Sequence, residues 1–279
     1  MARQRLGQHF LADPDWREQI ARAIRVSAHS PEFSASLDRT SEKPYRWIEI
    51  GAGHGEMTEH LAASGAPVTA IEIDPPLVRR LKHLTQQFPN LQVISGDVLK
   101  ADIEEIAAGR RVRAYGNLPY YITSPILHRL FAAAPIIDEI HVLIQLEVAQ
   151  RLAAQPGSRD YGYLSVATQL YARAEIVLEI PPEAFDPPPE VTSALVTLRL
   201  PGKAADLGTI GNEELLDFVK VCFAQKRKTL VNNLKSLGKG ERIRAALEKC
   251  GLRADARAEQ LKVSEFAALL RELKIEKVG

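Results

Sequence analysis

The sequence predicts an α/β protein: a doubly wound sheet followed by a smaller, helical C-terminal domain. Short apolar runs that end in a glycine turn or an acidic residue predict successive strands of such a sheet. Apolar residues at helical spacing in the last quarter of the chain predict the helical part. The chain has 279 residues and is 46% hydrophobic, which is enough for one large domain and one small one.

The first of these runs, Trp47–Ile50, leads into a glycine turn at Gly51–Gly55, and a helical pattern follows. A strand, a glycine turn and a helix are typical of the nucleotide-binding opening of this fold. Glu56 stands where a dinucleotide fingerprint has its third glycine. The spacing therefore favours a cofactor without phosphates over one with a pyrophosphate.

Two further runs place acids at strand ends. Pro67–Ile71 leads to Glu72, and Leu91–Ile94 leads to Asp97. Glu72 is suited to accept hydrogen bonds from ribose hydroxyls, and Asp97 from an adenine amino group. Each acid alone is equally compatible with a helix cap or a solvated loop. Together with the glycine turn they predict an adenosine-bearing cofactor, and S-adenosylmethionine fits.

The segment Asn117-Leu118-Pro119-Tyr120 predicts a site for a planar base with an exocyclic amine. The Asn117 side-chain oxygen and a backbone carbonyl at Leu118 or Pro119 can accept from both N–H groups, while Tyr120 stacks on the base. In isolation the tetrapeptide is equally compatible with a turn after a buried strand.

Combined with the cofactor, this segment indicates methyl transfer to adenine N6 by in-line displacement. Such chemistry requires neither a metal nor a covalent intermediate, and we predict no metal site. No H-E-x-x-H or C-x-x-C motif is present, and we assign Cys222 and Cys250 to ordinary packing.

From about Leu6 to about Glu265 the chain resembles the bacterial small-subunit rRNA adenine dimethyltransferase family. The order of the matching strings is more specific than any one of them. They are Gly7-Gln8-His9-Phe10-Leu11, Glu49-Ile50-Gly51-Ala52-Gly53, Glu72, Gly96-Asp97-Val98, Gly116-Asn117-Leu118-Pro119-Tyr120, Tyr161-Gly162-Tyr163-Leu164-Ser165-Val166, Phe185-Asp186-Pro187-Pro188-Pro189-Glu190-Val191 and Gln225-Lys226-Arg227-Lys228-Thr229.

The resemblance implies a Rossmann-like S-adenosylmethionine-dependent methyltransferase sheet with a C-terminal helical domain. It also implies N6,N6-dimethylation of two adjacent adenosines in the 3′-terminal hairpin of small-subunit (16S) rRNA, and a role in assembly of that subunit. The substrate would be rRNA within a pre-assembled small subunit.

The resemblance further implies which residues form the site. Six positions would contact S-adenosylmethionine: His9, Leu11, Gly51, Glu72, Asp97 and Asn117. Asn117, Leu118, Pro119 and Tyr120 would hold the target base from one side, and Phe185 would close over it from the other. Without the family, Phe185 would be interpreted as a loop anchor before a triple proline.

Two positions depart from the family pattern. His9 replaces the usual asparagine of the N-terminal motif, and Tyr121 replaces the asparagine that commonly follows the tetrapeptide. We expect His9 still to donate to the cofactor's carboxylate, with a dependence on pH. Tyr121 is expected to alter base entry without changing the chemistry, so activity should be retained.

The formal net charge is only +1, but the basic residues are unevenly distributed. From Lys220 to Lys249 there are nine basic residues against two acidic ones, a local excess of seven positive charges. We predict that Lys226, Arg227 and Lys228 bind RNA phosphates, with a second contact from Arg3 and Arg5. The alternative for the C-terminal group is a solvated helix face.

The predicted domains are a methyltransferase domain at 1–200 with an N-terminal cofactor-capping segment, a linker at 201–212, and a helical RNA-docking domain at 213–279. The serine-rich stretch 27–44 is predicted to be a surface loop, and we assign it no function. There is no signal-peptide pattern, no apolar stretch of membrane-spanning length and only two cysteines. We therefore expect a cytoplasmic, monomeric protein that does not bind a membrane.

Three alternatives remain. The related enzymes that dimethylate large-subunit rRNA share much of the pattern, although the helical C-terminal domain and the Phe-x-Pro-Pro-Pro string favour the small subunit. A DNA adenine methyltransferase is disfavoured because nothing suggests a base-specific DNA reader. A non-catalytic RNA-binding assembly factor is disfavoured because Gly51, Glu72, Asp97 and Asn117 are all present.

Overall fold

The structure is a computed structural model, and it describes residues 9–26, 45–202, 207 and 210–275. Three sequence predictions fall outside these residues: the phosphate contacts of Arg3 and Arg5, the serine-rich stretch 27–44, and part of the linker. The described residues divide into two compact units. Those of the first fall within the bounds Met1–Ala149 and Glu175–Leu200, and those of the second within Gln150–Ala174 and Pro201–Gly279.

A seven-stranded, mostly parallel sheet forms the centre of the first unit, which confirms the predicted α/β class. Its strand order is β4-β3-β2-β5-β6-β9-β7. The pairs β2–β3, β3–β4, β2–β5 and β5–β6 are parallel, and β6–β9 is antiparallel. The strands are β2 (Arg46–Ile50), β3 (Val68–Glu72), β4 (Leu91–Ser95), β5 (Val112–Asn117), β6 (Ile137–Gln145), β7 (Arg173–Ile180) and β9 (Ser193–Arg199).

A separate two-stranded sheet pairs β1 (Phe10–Leu11) with β8 (Phe185–Asp186) in antiparallel register. The helices that begin in this unit are α1 (Pro14–Ala23), α2 (Glu56–Ala63), α3 (Pro75–Leu84), α4 (Ile103–Ala107), α5 (Thr123–Ala132) and α6 (Leu146–Ala153). Helix α1 begins with a typical N-terminal cap: the Asp13 side chain accepts from the backbone N–H groups of Asp15 and Trp16, and Pro14 is the first helical residue.

The predicted strands are confirmed to within a residue or two of their limits. Because the strands are parallel, the carboxyl ends of β2 to β5 lie along one edge of the sheet. Ile50 is opposite Ile71 on one side and Gly116 on the other, and Glu72 is opposite Ser95. The glycine turn, the two acids and Asn117, which are far apart in sequence, therefore follow neighbouring strand ends.

Burial on one face of this sheet explains how α1 is held. Trp47, Ile20 and Ile24 are fully buried in one apolar cluster that also contains Leu61 of α2 and Leu81 of α3. Full burial of an aliphatic side chain of this size contributes roughly 1.5–3 kcal/mol. Strand β2, which ends at this edge, is thus packed against an apolar core.

The second unit is helical, as predicted, but it starts earlier than the sequence suggests. It contains α7 (Tyr163–Tyr171), α8 (Asn212–Cys222), α9 (Leu230–Asn233), α10 (Gly240–Lys249) and α11 (Val263–Ile275). Residues 150–174, which the sequence assigned to the methyltransferase domain, belong to this unit. The physical reason is burial: Tyr161, Val166 and Leu170 share its apolar core, and the Tyr161 hydroxyl donates to the Leu261 carbonyl at 2.8 Å.

Within the described ranges, no helix is both long and apolar enough to cross a membrane. Over the same residues, no three side chains of His, Cys, Asp or Glu are grouped so that they could hold a metal ion.

One buried carboxylate organises the charges at the start of β6. Glu139 is ion-paired with Arg25, with Arg113 at 3.5 Å and with Arg199 at 3.4 Å. Burial by itself would raise the pKa of Glu139. The imidazole of His141 and the guanidinium groups of Arg113 and Arg25 outweigh burial and lower that pKa to about 2.

We predict that Glu139→Gln lowers the free energy of unfolding at neutral pH by roughly 1–3 kcal/mol, because three arginines lose a shared partner. The loss stays at this level because water screens Arg25 and Arg199, whose side chains are 38% and 45% exposed. Urea denaturation measures it. Glu175→Gln is the matched control, since it removes the exposed partner of Arg199 and should cost little.

The pH dependence gives the same prediction a second test. A depressed carboxyl pKa stabilises the fold fully above the unfolded value of 4.5, and this contribution is lost as pH falls toward 2. The stability difference between the unsubstituted protein and Glu139→Gln should therefore narrow over that window. A constant difference would contradict the assignment.

Candidate active site

Two adjoining clefts lie at the carboxyl edge of the sheet, and both are bounded by Phe10, Gly51, Gly53 and Asn117. The first has about 410 Å³ of open space and is also lined by His9, Leu118, Pro119 and Tyr120. The second has about 330 Å³ and is also lined by Leu11, Glu49, Ala52, Glu56, Met57 and Tyr115. Predicted base-binding and cofactor-binding residues therefore meet at one place.

The glycine turn after β2 has a backbone conformation that residues other than glycine rarely adopt. Gly51 and Gly53 have φ values of +66° and +59°, in the left-handed region. At Gly53 a Cβ atom would also lie 3.1 Å from the Phe10 ring. Glycine at these positions lets the turn pass close beneath the N-terminal segment while leaving the cleft open.

Glu72 braces this turn from the neighbouring strand. Its Oε2 accepts from Gly53 N at 2.9 Å, and its Oε1 accepts from Ile73 N at 2.8 Å and Asp74 N at 2.9 Å. The residue is buried, so these three donors balance its charge. Oε2 keeps one lone pair for a further donor, and the predicted ribose contact stays a prediction on that oxygen.

Asp97 follows β4 and is half-buried. Its Oδ1 accepts from Leu99 N at 2.9 Å, which leaves Oδ2 to meet an external donor. Two exposed apolar side chains adjoin these acids: Ile73 follows Glu72 directly, and Leu99 lies two residues after Asp97. Neither residue was predicted from the sequence; for Ile73, an apolar residue directly after a strand-end acid was a usable signal, and Leu99 had none of this kind.

The N-terminal segment is held across the end of β5. Phe10 and Leu11 pair with Asp186 and Phe185, and the His9 Nδ1 donates to the Pro187 carbonyl at 2.7 Å. That bond fixes the tautomer, because a carbonyl can only accept. A neutral His9 therefore presents a lone pair at Nε2, and only the protonated ring can donate from Nε2 to a carboxylate.

Asn117 ends β5 with a side-chain orientation that its partner determines. Its Nδ2 donates to the His9 backbone carbonyl at 2.8 Å. Since that carbonyl has no proton to donate, the nitrogen must face it, and Oδ1 is left as an acceptor beside the cleft. Both amide hydrogen-bonding roles of Asn117 are thereby assigned.

The remaining tetrapeptide residues have distinct roles. The Leu118 side chain is buried, and its N–H donates to the Leu143 carbonyl at 3.0 Å. The Pro119 carbonyl already accepts from Ile122 N at 3.1 Å and from the Thr123 hydroxyl at 3.2 Å. Of the two backbone acceptors that the sequence left open, the Leu118 carbonyl is the better candidate.

Tyr120 is half-buried, and contacts of both its ring and its hydroxyl fix its orientation. Its ring stacks on that of His9, with centroids 5.6 Å apart and planes 24° from parallel. Its hydroxyl lies 3.1 Å from the Ser193 hydroxyl. Burial raises the pKa of Tyr120, which the hydrogen bond with Ser193 opposes. The phenol is therefore neutral at physiological pH, as a stacking surface requires.

Phe185 is not at the cleft wall in this structure. Its side chain is only 4% exposed and belongs to the apolar cluster that contains Leu11 and Trp47. The backbone of Phe185 pairs with Leu11, so the residue adjoins the cleft through its strand. Its predicted role as second wall for the base remains a prediction that requires movement of the ring.

The second cleft contains an acid that the sequence analysis did not single out. Glu49 is 2% exposed and accepts from the Thr58 hydroxyl at 2.5 Å. Burial raises its pKa to about 8; the bond from Thr58 opposes this, and the charges of Glu56 and Glu72 add to it. A charged residue within the apolar run of β2 was the signal for it. The nearby Tyr115 hydroxyl is buried without a hydrogen-bond partner.

In the second unit, Lys226, Arg227 and Lys228 are exposed. They lie on the connection between α8 and α9, so the solvated helix face considered earlier does not describe them. The Lys226 ammonium donates to the Arg159 carbonyl at 2.5 Å, and this contact orders the start of the basic segment.

We predict that Glu49→Gln makes the thermal midpoint of the protein less dependent on pH. The folded pKa of about 8 exceeds the unfolded value of 4.5, so the folded state binds the proton more tightly and loses stability as pH rises between these values. Glutamine does not titrate, so the variant should gain relative to the unsubstituted protein across that window. Glu104→Gln, at an exposed site on α4, serves as the control, and a gain independent of pH would refute the prediction.

Comparison with known proteins identifies the family. Residues 1–274 match the family described as ribosomal RNA adenine dimethylase. A ribosomal RNA small subunit methyltransferase A from Koribacter versatilis is 37% identical over 97% of this chain and 94% of its own. The protein of the same name from Acidobacterium capsulatum is 43% identical over 81% of this chain and 80% of its own. The protein of this name from Myxococcus xanthus is 40% identical over 96% of this chain and 89% of its own.

Two solved structures share the fold over nearly the whole chain. A dimethyladenosine transferase from Plasmodium falciparum superposes with a TM-score of 0.77 at 23% identity, covering 96% of this chain and 98% of its own. The 23S rRNA methyltransferase ErmE superposes with a TM-score of 0.66 at 26% identity, covering 95% and 99%. The chain therefore belongs to the ribosomal RNA adenine dimethylase family, and it is an rRNA adenine dimethyltransferase with a Rossmann-like fold.

Proposed function

We propose that the protein transfers methyl groups from S-adenosylmethionine to the N6 amines of two adjacent adenosines in the 3′-terminal hairpin of small-subunit rRNA, within a pre-assembled small subunit. The observation that carries this proposal is the Asn117 amide, whose nitrogen is held by the His9 carbonyl so that its oxygen is an acceptor beside the cleft. The proposal includes a role in small-subunit biogenesis in the cytoplasm.

The charges of the second cleft fit such a cofactor. S-adenosylmethionine carries a sulfonium and an ammonium group, and Glu49 and Glu56 line this cleft, with Glu72 close enough to perturb Glu49. A cation beside Glu49 favours its ionised form and would relieve the repulsion among the three acids. A pyrophosphate would instead oppose the ionisation of Glu49, as Glu56 and Glu72 already do. The donor set thus supports a cationic cofactor without phosphates.

The rest of the cofactor has partners along the sheet edge. The Oε2 of Glu72 would accept from a ribose hydroxyl, and the Oδ2 of Asp97 from the adenine amine. Ile73 and Leu99, exposed beside those acids, would cover the two faces of the adenine ring. Covering them removes apolar surface from water at about 25 cal/mol per Å². When bound, this cofactor supplies an activated methyl group on sulfur.

The chain's own residues would prepare the acceptor nitrogen. The N6 lone pair of adenine is delocalised into the ring, which makes the amine a poor nucleophile. Asn117 Oδ1 and the Leu118 carbonyl would accept hydrogen bonds from the two N–H groups of the amine. These bonds would favour a pyramidal nitrogen with its lone pair directed at the methyl carbon. Tyr120 would stack on the base and fix its plane, which is worth roughly 1–3 kcal/mol.

The choice of small-subunit rRNA is supported by the relatives, three of which share 37–43% identity and are named ribosomal RNA small subunit methyltransferase A. The likeness to the 23S rRNA methyltransferase keeps large-subunit rRNA as a second candidate, at the lower identity of 26%. The exposed segment Lys226–Lys228 would neutralise rRNA phosphates. Cleft residues that suit both the cofactor and the base argue against a purely non-catalytic assembly factor.

The proposal is tested by mapping N6,N6-dimethyladenosine in both ribosomal RNAs from cells with and without the gene. We expect the modification at two adjacent adenosines of the small-subunit 3′ hairpin to disappear with the gene and to return when the purified protein and S-adenosylmethionine are added to the undermethylated subunit. Loss of a large-subunit modification instead would establish the second candidate.

We predict that Asn117→Ala reduces the rate of methyl transfer at saturating cofactor by roughly 100- to 1000-fold, the usual cost of removing one fixed hydrogen-bonding group at a reacting centre. Single-turnover kinetics measures the rate, and calorimetry measures how much cofactor affinity remains. Asn90→Ala is the matched control: Asn90 also donates to backbone carbonyls, those of Ala62 and Ala66, but lies outside both clefts. A nearly normal rate for Asn117→Ala would disprove the acceptor model.

A further inference from the structure

Exposed apolar residues in the first unit lie close in sequence to residues of the proposed site or to their bonding partners. Among the residues that the structure describes, the exposed large hydrophobic side chains are Ile73, Leu99, Tyr121 and Val191. In the proposed function the adenine ring of the cofactor would cover Ile73 and Leu99. Tyr121 and Val191 have no partner in the cofactor, and Tyr121 is the most exposed of the four, at 63%.

Tyr121 differs sharply from the tyrosine before it. Tyr120 lines the cleft, stacks on His9 and is bonded to Ser193. The Tyr121 side chain is instead mostly exposed, although it directly follows Tyr120 in the chain. Val191 lies two residues before Ser193, so the Tyr120–Ser193 bond brings the segments that carry both exposed side chains together.

The backbone that carries Tyr121 is held in place. Residues Tyr120–Ile122 form a single 3₁₀ turn, closed by the bond from Ile122 N to the Pro119 carbonyl. The Thr123 hydroxyl donates to the same carbonyl from the start of α5. An aromatic ring on so constrained a turn loses little backbone entropy when it binds, which favours a role in recognition.

We propose that Tyr121 is a stacking platform for the nucleobase next to the target adenosine. This inference rests on the proposed function. A base can enter the cleft only by leaving the stack of its own strand, and the neighbouring base then loses a stacking partner. An exposed aromatic ring next in the chain to a cleft residue can replace that partner, and the Tyr120–Ser193 bond joins the segment of the exposed Val191 to the same turn. Tyr121 thus acts on RNA position and not on the chemistry.

The test compares four variants at this position in the full-length protein: Tyr121→Phe, Tyr121→Leu, Tyr121→Ala and Tyr121→Asn. We expect the last three to raise the KM for undermethylated small subunits roughly 5- to 150-fold, the range for removing one stacked base. The rate at saturating subunit and the affinity for S-adenosylmethionine should stay close to those of the unsubstituted protein. Tyr121→Phe keeps the ring and should restore the KM.

Leucine separates stacking from simple apolar contact, since it keeps apolar area without a π face. An unchanged KM in Tyr121→Ala, or a Tyr121→Leu variant that behaves like Tyr121→Phe, would overturn the stacking proposal. Inactivity of the unsubstituted protein on the same subunits would instead defeat the proposed function. The two failures are therefore distinguishable.

A spectroscopic measurement decides the matter if the smaller side chains impair folding. Tyr121→Trp keeps a stacking ring, and its fluorescence should be quenched when undermethylated small subunits are added, beyond any change in the unsubstituted protein with Trp16 and Trp47. Fully methylated subunits serve as the comparison. If the signal of the introduced indole responds to neither subunit, no base stacks there and the proposal is wrong.

Discussion

The hydrogen bond from the Asn117 side-chain amide to the His9 carbonyl is the contact on which the geometry of the cleft depends. The terminal torsion of an asparagine is soft, so an unbonded amide would present nitrogen and oxygen to the cleft by turns. A backbone carbonyl is an acceptor only, and this one removes the ambiguity. The same bond holds the N-terminal segment over the end of β5, so the base side and the cofactor side are constrained together.

Negative charge beside the glycine turn is balanced in two different ways. The buried Glu72 carboxylate accepts hydrogen bonds from three backbone N–H groups. Glu49 accepts one hydrogen bond, from the Thr58 hydroxyl, and burial raises the pKa of Glu49 to about 8. Glu49 is therefore neutral near pH 7, and a cation bound beside it would favour its ionised form.

Much of the fold and part of the site could be predicted from sequence. Apolar runs and the residues that end them gave the strand ends, because parallel strands align their carboxyl ends whatever lies between. The buried ring of Phe185 is compatible with the anchor that its string indicates without the family, because a resemblance fixes a residue's place in the chain but not whether its ring packs inward. Residues 150–174 were misassigned because their burial partners, such as Leu261, are distant in sequence. The choice between the Leu118 and Pro119 carbonyls required knowledge of which was already bonded.

The pairing of β1 with β8 has a consequence for the order of folding. His9 and its partner Pro187 are 178 positions apart, so the contact closes a loop of most of the first unit. Contacts of such long range form late, after the sheet and the helices that bring their ends together. During synthesis β1 has no strand partner until the segment near Pro187 has emerged, although Asn117 and Tyr120, which also contact His9, emerge earlier. Unfinished chains therefore lack the β1–β8 pairing, and the N-terminal side of the cleft is fully held only in the completed unit.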